Sequence, residues 1–228
     1  LSNEQLVIAT QVDKEKWEDL LGNLREDVKD ANALFRLVYL IDDFAGTGTS
    51  FFRYKAEKKK WSGKLMRFKD SVEGAAKAMD GKSPFAAQWE LGVHHYLASH
   101  EASQAIRARL DEAKQKLSSP GWASDIHVSF GAVLPADIKI GAIPERDDAF
   151  VALTKTYYND HIRTKHTDVG GVEHMGLGYG GCALPLVLDH NTPNNSAALL
   201  WAETGATDRT GAPAPAMRPL FRRRQRHS

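Results

Sequence analysis

The chain has 228 residues, of which 42% are apolar, 26% charged and 9% aromatic, and 30 basic side chains stand against 29 acidic ones. These proportions exclude gross disorder, a collagen-like chain and a disulfide scaffold, and they allow a real hydrophobic core. The net charge of +1 argues against a surface given over to nucleic acid, although Arg218, Arg222, Arg223, Arg224 and Arg226 make the C-terminal end basic and leave the remainder mildly acidic.

The text opens on Leu1 rather than Met, inside a periodic segment, so a domain truncated at its N-terminus is expected. Leu6 to Thr10 is a short β-leaning run, and Asp13 is a helix N-cap ahead of a pattern through Trp17, Leu20, Leu21, Leu24 and Val28. Leu34 to Ile41, unbroken and apolar from Leu37, predicts a strand covered on both faces, as in a parallel sheet, ending at Asp42. From 53 to 120 the composition turns to helix formers, charge and Ala. Lys55, Lys58, Lys59, Lys60 and Lys64 crowd its start, and Ser83-Pro84 reopens a long helical pattern through Phe85, Trp89, Val93, Tyr96 and Leu97 to Ile106, Leu110 and Leu117.

Ile126 to Leu134 alternates as a second strand, and Ile138 to Ile140 reads as a further short one. Asp147 to His161 predicts a helix, Thr164 to Gly181 a polar, glycine-rich loop, Ala183 to Leu188 a buried strand, and Ser196 to Trp201 a short helix. Residues 206–228 read as a Pro, Gly and Arg tail behind one domain over 1–205. Cys182 is the only cysteine, which rules out an internal disulfide or multi-thiolate metal site and fits a cytoplasmic setting. No run reaches the roughly 18 to 20 apolar residues that span a bilayer, so no membrane partner is expected. Buried strands alternating with helices give an α/β fold.

The chemistry concentrates in Leu37 to Phe51. An apolar strand delivers Asp42 and Asp43 to its carboxyl end, where ligands of open α/β sheets sit, and Ala45, Gly46, Thr47, Gly48, Thr49 and Ser50 follow. A glycine and hydroxyl loop leading into a helix offers backbone N–H groups, hydroxyls and the positive end of a helix dipole to a phosphate monoester. Two carboxylates beside it can accept hydrogen bonds from a vicinal diol or hold a divalent cation. Together they suggest a ribose 5-phosphate ligand.

At these residues the chain resembles the type I phosphoribosyltransferases. Leu37 to Ile41 match the strand of that signature, Asp42 and Asp43 its acids, Phe44 its apolar position and Thr47 to Ser50 its loop. The resemblance implies a phosphoribosyltransferase-like parallel sheet flanked by helices, with a helical insertion over about 53–120 after the loop. It further implies acids on the ribose hydroxyls, the loop on the 5-phosphate of phosphoribosyl pyrophosphate, and Mg2+ on the pyrophosphate side. The stretches 40–53, 178–201 and 218–227 are similar to the phosphoribosyltransferase-like domains described in bacterial conflict systems, which implies an effector of bacterial defence. The sequence leaves open whether such a domain transfers a phosphoribosyl group or, catalytically degenerate, senses a nucleotide and signals to a protein partner through the insertion.

Rival readings attach to the same residues. Asp43 to Thr47 also resembles the first motif of haloacid-dehalogenase-type phosphohydrolases, with Asp43 as nucleophile. GTGTS lacks the Lys of a Walker loop, and the glycines at 176, 178 and 181 precede a strand instead of following one, against a dinucleotide fingerprint. Gly180, Gly181, His190, Asn191, Asn194 and Asn195 are further substrate-contact candidates, with an Asx-type turn as the plain reading of 189–195. The histidines show no ligand-pair spacing and read as surface or core-edge residues, so no metal ligand is named. Lys55 to Lys64 with Tyr54 and Trp61 reads as a solvated face before it reads as a nucleic-acid contact.

Overall fold

The computed structural model describes residues 7, 12–79, 81–118, 122–164, 167 and 170–221. Of the β-leaning run Leu6 to Thr10 only Val7 falls among them, and the arginine run 222–226 lies outside the described residues. The chain divides into two compact units, Leu1–Val133 and Leu134–Ser228.

The first unit opens with helix α1, Lys14–Val28, capped by the Asp13 carboxylate, which accepts from Lys16 N at 2.9 Å. It ends where Lys29 takes a left-handed conformation and donates to the Arg25 and Glu26 carbonyls. Its apolar stripe buries Trp17, Leu20 and Leu21, and the Trp17 indole meets Phe85 edge-on at 5.1 Å. Strand β1, Phe35–Ala45, follows, then a small hairpin of β2, Arg53–Lys55, and β3, Lys60–Ser62. Helix α2, Lys64–Ala78, strand β4, Phe85–Ala98, helix α3, His100–Lys116, and strand β5, Asp125–Val133, complete the unit.

β1, β4 and β5 form a parallel three-stranded sheet in the order β1-β4-β5, with α2 and α3 as the crossovers. This is the α/β architecture expected, a parallel sheet flanked by helices. Within 53–120, however, the single long helix expected from Phe85 onward is corrected: Phe85–Ala98 is the central strand, and the α-helices among the described residues of this range are Lys64–Ala78 and His100–Lys116. The i, i+4 spacing of Trp89, Val93 and Leu97 fits a helix, but burial of Leu91, Gly92, Val93 and His95 in sequence fits a strand paired on both edges.

β1, expected to be covered on both faces, stands at the edge of the sheet among the described residues and has one open face. Val38 and Leu40 pack on the core formed by Leu65, Phe68 and Val72 of α2, Ala102 and Ile106 of α3, and Leu91 and Ile126 of the sheet. Leu37, Tyr39 and Ile41 point the other way and are about half exposed, at 49%, 57% and 54%. The Tyr39 ring lies over Gly92, where a Cβ would come within 2.3 Å of it. β1 also runs on to Ala45 instead of stopping at Asp42.

The second unit is mostly irregular. Helix α4, Pro144–Thr156, and the 3-10 turn Asp160–Ile162 occupy the span read as one helix from Asp147 to His161. Asp147, three residues behind the proline, turns its carboxylate back to the Gly141 and Ile143 amides at 2.7 and 3.3 Å, and with Arg146 beside it the group is held well below the usual carboxylate range. Two expected strands are corrected. Ile138 ends a 3-10 turn, Ala136–Ile138, while Ala183 to Leu188, interrupted by Pro185, makes only the isolated bridges Leu184–Ser196 and Leu188–Asn191. A short helix, α5, spans Ala198–Trp201. The segment after Thr204 is fastened by Asn159, whose Nδ2 donates to the carbonyls of Gly205, Thr207 and Pro215 at 3.0 to 3.2 Å.

Candidate functional site

The candidate site of the first unit lies at the carboxyl end of β1. Asp42 and Asp43 are adjacent in an extended strand, so their side chains leave opposite faces. Asp42 is half-buried on the helix-covered side, whereas Asp43 is exposed and its Oδ1 accepts from the Phe44 amide at 2.7 Å. Parallel pairing sets His95 of β4 directly beside Asp42. Asp42 Oδ2 accepts from the Lys64 ammonium, which stands at the first residue of α2, and faces His95 Nδ1 at 3.7 Å.

The loop 46–52 follows. Thr47 and Thr49 share a hydroxyl–hydroxyl bond of 2.7 Å, and the Thr49 amide donates to Thr47 Oγ1 at 3.3 Å. Its carbonyls are held from several sides: Ser99 Oγ donates to Gly46 O at 2.6 Å, Arg53 Nη1 to Thr49 O at 3.2 Å and Arg109 Nη1 to Thr47 O at 3.5 Å. Gly48 sits at φ +67°, and a Cβ there would approach Ile106 Cγ1 to 2.8 Å, so α3 lies hard against the loop. Ala45, Gly46 and Gly48 are buried, Thr47 and Thr49 half-buried and Ser50 exposed.

The loop does not run straight into a helix, as expected, because the β2–β3 hairpin intervenes. The chain nevertheless returns to it: the Lys64 and Leu65 amides of α2 donate to the Ser50 and Phe51 carbonyls at 2.8 and 3.1 Å. Those first-turn donors are therefore engaged by protein oxygens. Positive charge at the loop comes instead from Arg53 and Arg109, whose proximity, after burial, lowers the Arg109 pKa. Arg53 Nε is buried without a hydrogen-bond partner among the described residues.

Lys64, His95, Arg53 and Arg109 were not singled out by the sequence pattern, which placed Lys64 in a solvated lysine run and His95 on a helix. The sequence signal that finds His95 is the alternation Leu91, Val93, His95 read as a strand in register with Asp42.

The remaining candidates belong to the second unit. Gly180 and Gly181 adopt φ of 64° and 63° in the turn Tyr179–Gly181, and Tyr179 N donates to Asn194 O at 2.6 Å. Asn195 Nδ2 donates to Tyr179 O and to the buried Cys182 Sγ, both at 3.3 Å. The unit thus brings Gly180, Gly181, Asn194 and Asn195 together. His190 sits in a tight turn closed by reciprocal bonds between Leu188 and Asn191, 3.0 and 3.1 Å.

Among the described residues no cluster of three or more His, Cys, Asp or Glu could hold a metal ion, and no helix is long and apolar enough to cross a membrane. No curated protein and no solved structure matches the chain. The PRTase-CE family model matches residues 2–223, nearly the whole length. With its parallel sheet and its acid-then-threonine loop at a strand end, the chain belongs to the PRTase-CE family of phosphoribosyltransferase-like proteins.

Proposed function

We propose that the first unit binds phosphoribosyl pyrophosphate or a related nucleotide, as part of a bacterial defence effector working in the cytoplasm. The observation that carries this reading is the convergence of Arg53 and Arg109 on the Thr47–Thr49 loop, with Asp42 and Lys64 a few residues away on the same strand end and helix start. Thr47, Thr49, Ser50 and the two guanidiniums take the 5-phosphate. Asp42 and Asp43 accept from the ribose hydroxyls.

Positioning and charge compensation are what these residues supply. If transfer occurs, they hold the ribose while its C1 loses pyrophosphate and gains an acceptor nitrogen or oxygen. Mg2+ in this reading comes with the ligand, on its pyrophosphate oxygens.

Calorimetry with phosphoribosyl pyrophosphate and MgCl2 tests the proposal. The wild type should bind, and Asp42→Asn and Arg109→Gln should each weaken binding by about tenfold or more, in keeping with loss of a charge-assisted contact. Absence of binding at millimolar ligand overturns the reading. Binding without pyrophosphate release identifies a nucleotide sensor rather than a transferase.

A further inference from the structure

His95 is 3% exposed, and neither of its ring nitrogens has a hydrogen-bond partner among the described residues. Phe130 of β5 stacks on the ring at 5.8 Å and 17°, and Phe51 meets it edge-on at 6.2 Å. A phenylalanine would fill this space without burying two unsatisfied nitrogens, and such nitrogens are rare in cores unless they serve a purpose. Nδ1 looks at Asp42 Oδ2 across 3.7 Å. That is too long for a hydrogen bond, and a carboxylate shift of less than about 1 Å would make one.

We propose that His95 is a positioning residue for Asp42: when an anionic ligand group draws the Lys64 ammonium away, His95 Nδ1–H donates to Asp42 Oδ2 and holds that carboxylate toward the sugar hydroxyls. The inference rests on the reading of Asp42 as a ligand-binding acid. Catalytic hydrogen bonds that are long in one state and close in another are common in active sites. The ring is suited to the task because burial lowers its pKa, with Lys64 and His94 acting in the same direction and Asp42 and Asp43 opposing. Arg107 of α3 is the charged group beyond Phe130, 5.1 Å from that ring. A neutral imidazole carries one N–H, and placing it on Nδ1 leaves Nε2 as an acceptor. Lys64 and His95 thereby act as alternate partners for one carboxylate oxygen, which couples recognition of the ligand's negative charge to alignment of its diol.

The test combines binding, melting and ring spectroscopy on the full chain. His95→Phe should melt no lower than wild type yet bind phosphoribosyl pyrophosphate with MgCl2 at least tenfold more weakly, and His95→Gln, which restores a donor, should recover most of the affinity. In Lys64→Met without ligand, the histidine 15N spectrum should show the Nδ1 proton of His95 newly hydrogen-bonded. His95→Phe binding as tightly as wild type overturns the inference while leaving the ligand reading in place. If the wild type does not bind, the ligand reading falls, and the Lys64→Met spectrum alone decides whether Asp42 and His95 are linked: an unchanged ring signal overturns the link. Should His95→Phe fail to fold, His95→Gln and the Lys64→Met spectrum carry the same decision.

Discussion

Gly48 and Gly63 are the residues on which the site's backbone turns. Gly48 combines φ +67° with a Cβ position 2.8 Å from Ile106, and Gly63 combines φ +129° with one 2.3 Å from the Phe51 carbonyl oxygen. Gly48→Ala should cost about 1 to 3 kcal/mol in urea unfolding, from the unfavourable conformation and the contact together. Gly63→Ala should cost more. Its clash is with the Phe51 and Phe52 backbone, and Gly63 is the residue that caps α2, so the same change should also pull Lys64 from Asp42 and weaken ligand binding.

His95 contributes at this scale through its buried neutrality. Its folded pKa lies below the 6.5 of a free histidine, so as pH falls the unfolded chain takes up the proton first. The stability linked to this ring is therefore complete above about 6.5 and declines as pH drops through that value. His174, also lowered by burial, acts in the same direction. The melting temperature should fall between pH 7.5 and 5.5, and His95→Phe should flatten part of that fall; an identical pH profile in the variant would show that the ring carries none of it. The acids and the Thr–Gly loop were legible in sequence because each is a local string at a strand end. Lys64, His95, Arg53 and Arg109 were not, because what brings them to the candidate site is register and packing against other elements.

β4 shows why element type was harder to read than fold class. Ala86, Ala87 and Gln88 favour helix, and the large side chains of 89, 93 and 97 recur at helical spacing, so only the pairing of both strand edges settles the matter in favour of β. Asp13 and α1 followed the expectation because cap, stripe and stop are all written within the segment. The two faces of β1 and β4 should differ sharply on substitution. Leu91→Ala, fully buried, should cost about 2 to 5 kcal/mol, whereas Ile41→Thr on the open face should stay within about 0.5 kcal/mol. Chemical denaturation of the pair measures this contrast, and similar losses at both positions would mean that the outer face is covered.

Each of the two units has apolar clusters of its own. The first has one continuous apolar core, and the second relies on small clusters around Met175 and Trp201 and around Ile140 and Ala183. Such small clusters, with few regular elements, explain why the sequence pattern of the second unit suggested strands that are absent. With 30 basic and 29 acidic groups the whole chain has a sequence pI near 8.0. It should be least soluble around that pH, since self-repulsion vanishes there while Leu37, Tyr39, Ile41 and Tyr96 remain exposed. Turbidity against pH, with a minimum in soluble protein near pH 8, checks this expectation.

The order β1-β4-β5 also bears on how the chain folds. Among the described residues β1 and β5 are each paired only with β4 within this sheet, so neither starts it there by a local hairpin, and parallel pairing obliges the chain to close long loops first. The bond from Ser99 Oγ to Gly46 O spans 53 positions, and the Lys64–Asp42 pair spans 22. Loop-closure entropy makes such contacts late events in folding. The imidazole can therefore join the acid and its ammonium only after the central strand has docked, so a chain in which β4 is still undocked can hold the acid, the loop and Lys64 but lacks His95 and the Ser99 and Arg109 bonds that fix the loop.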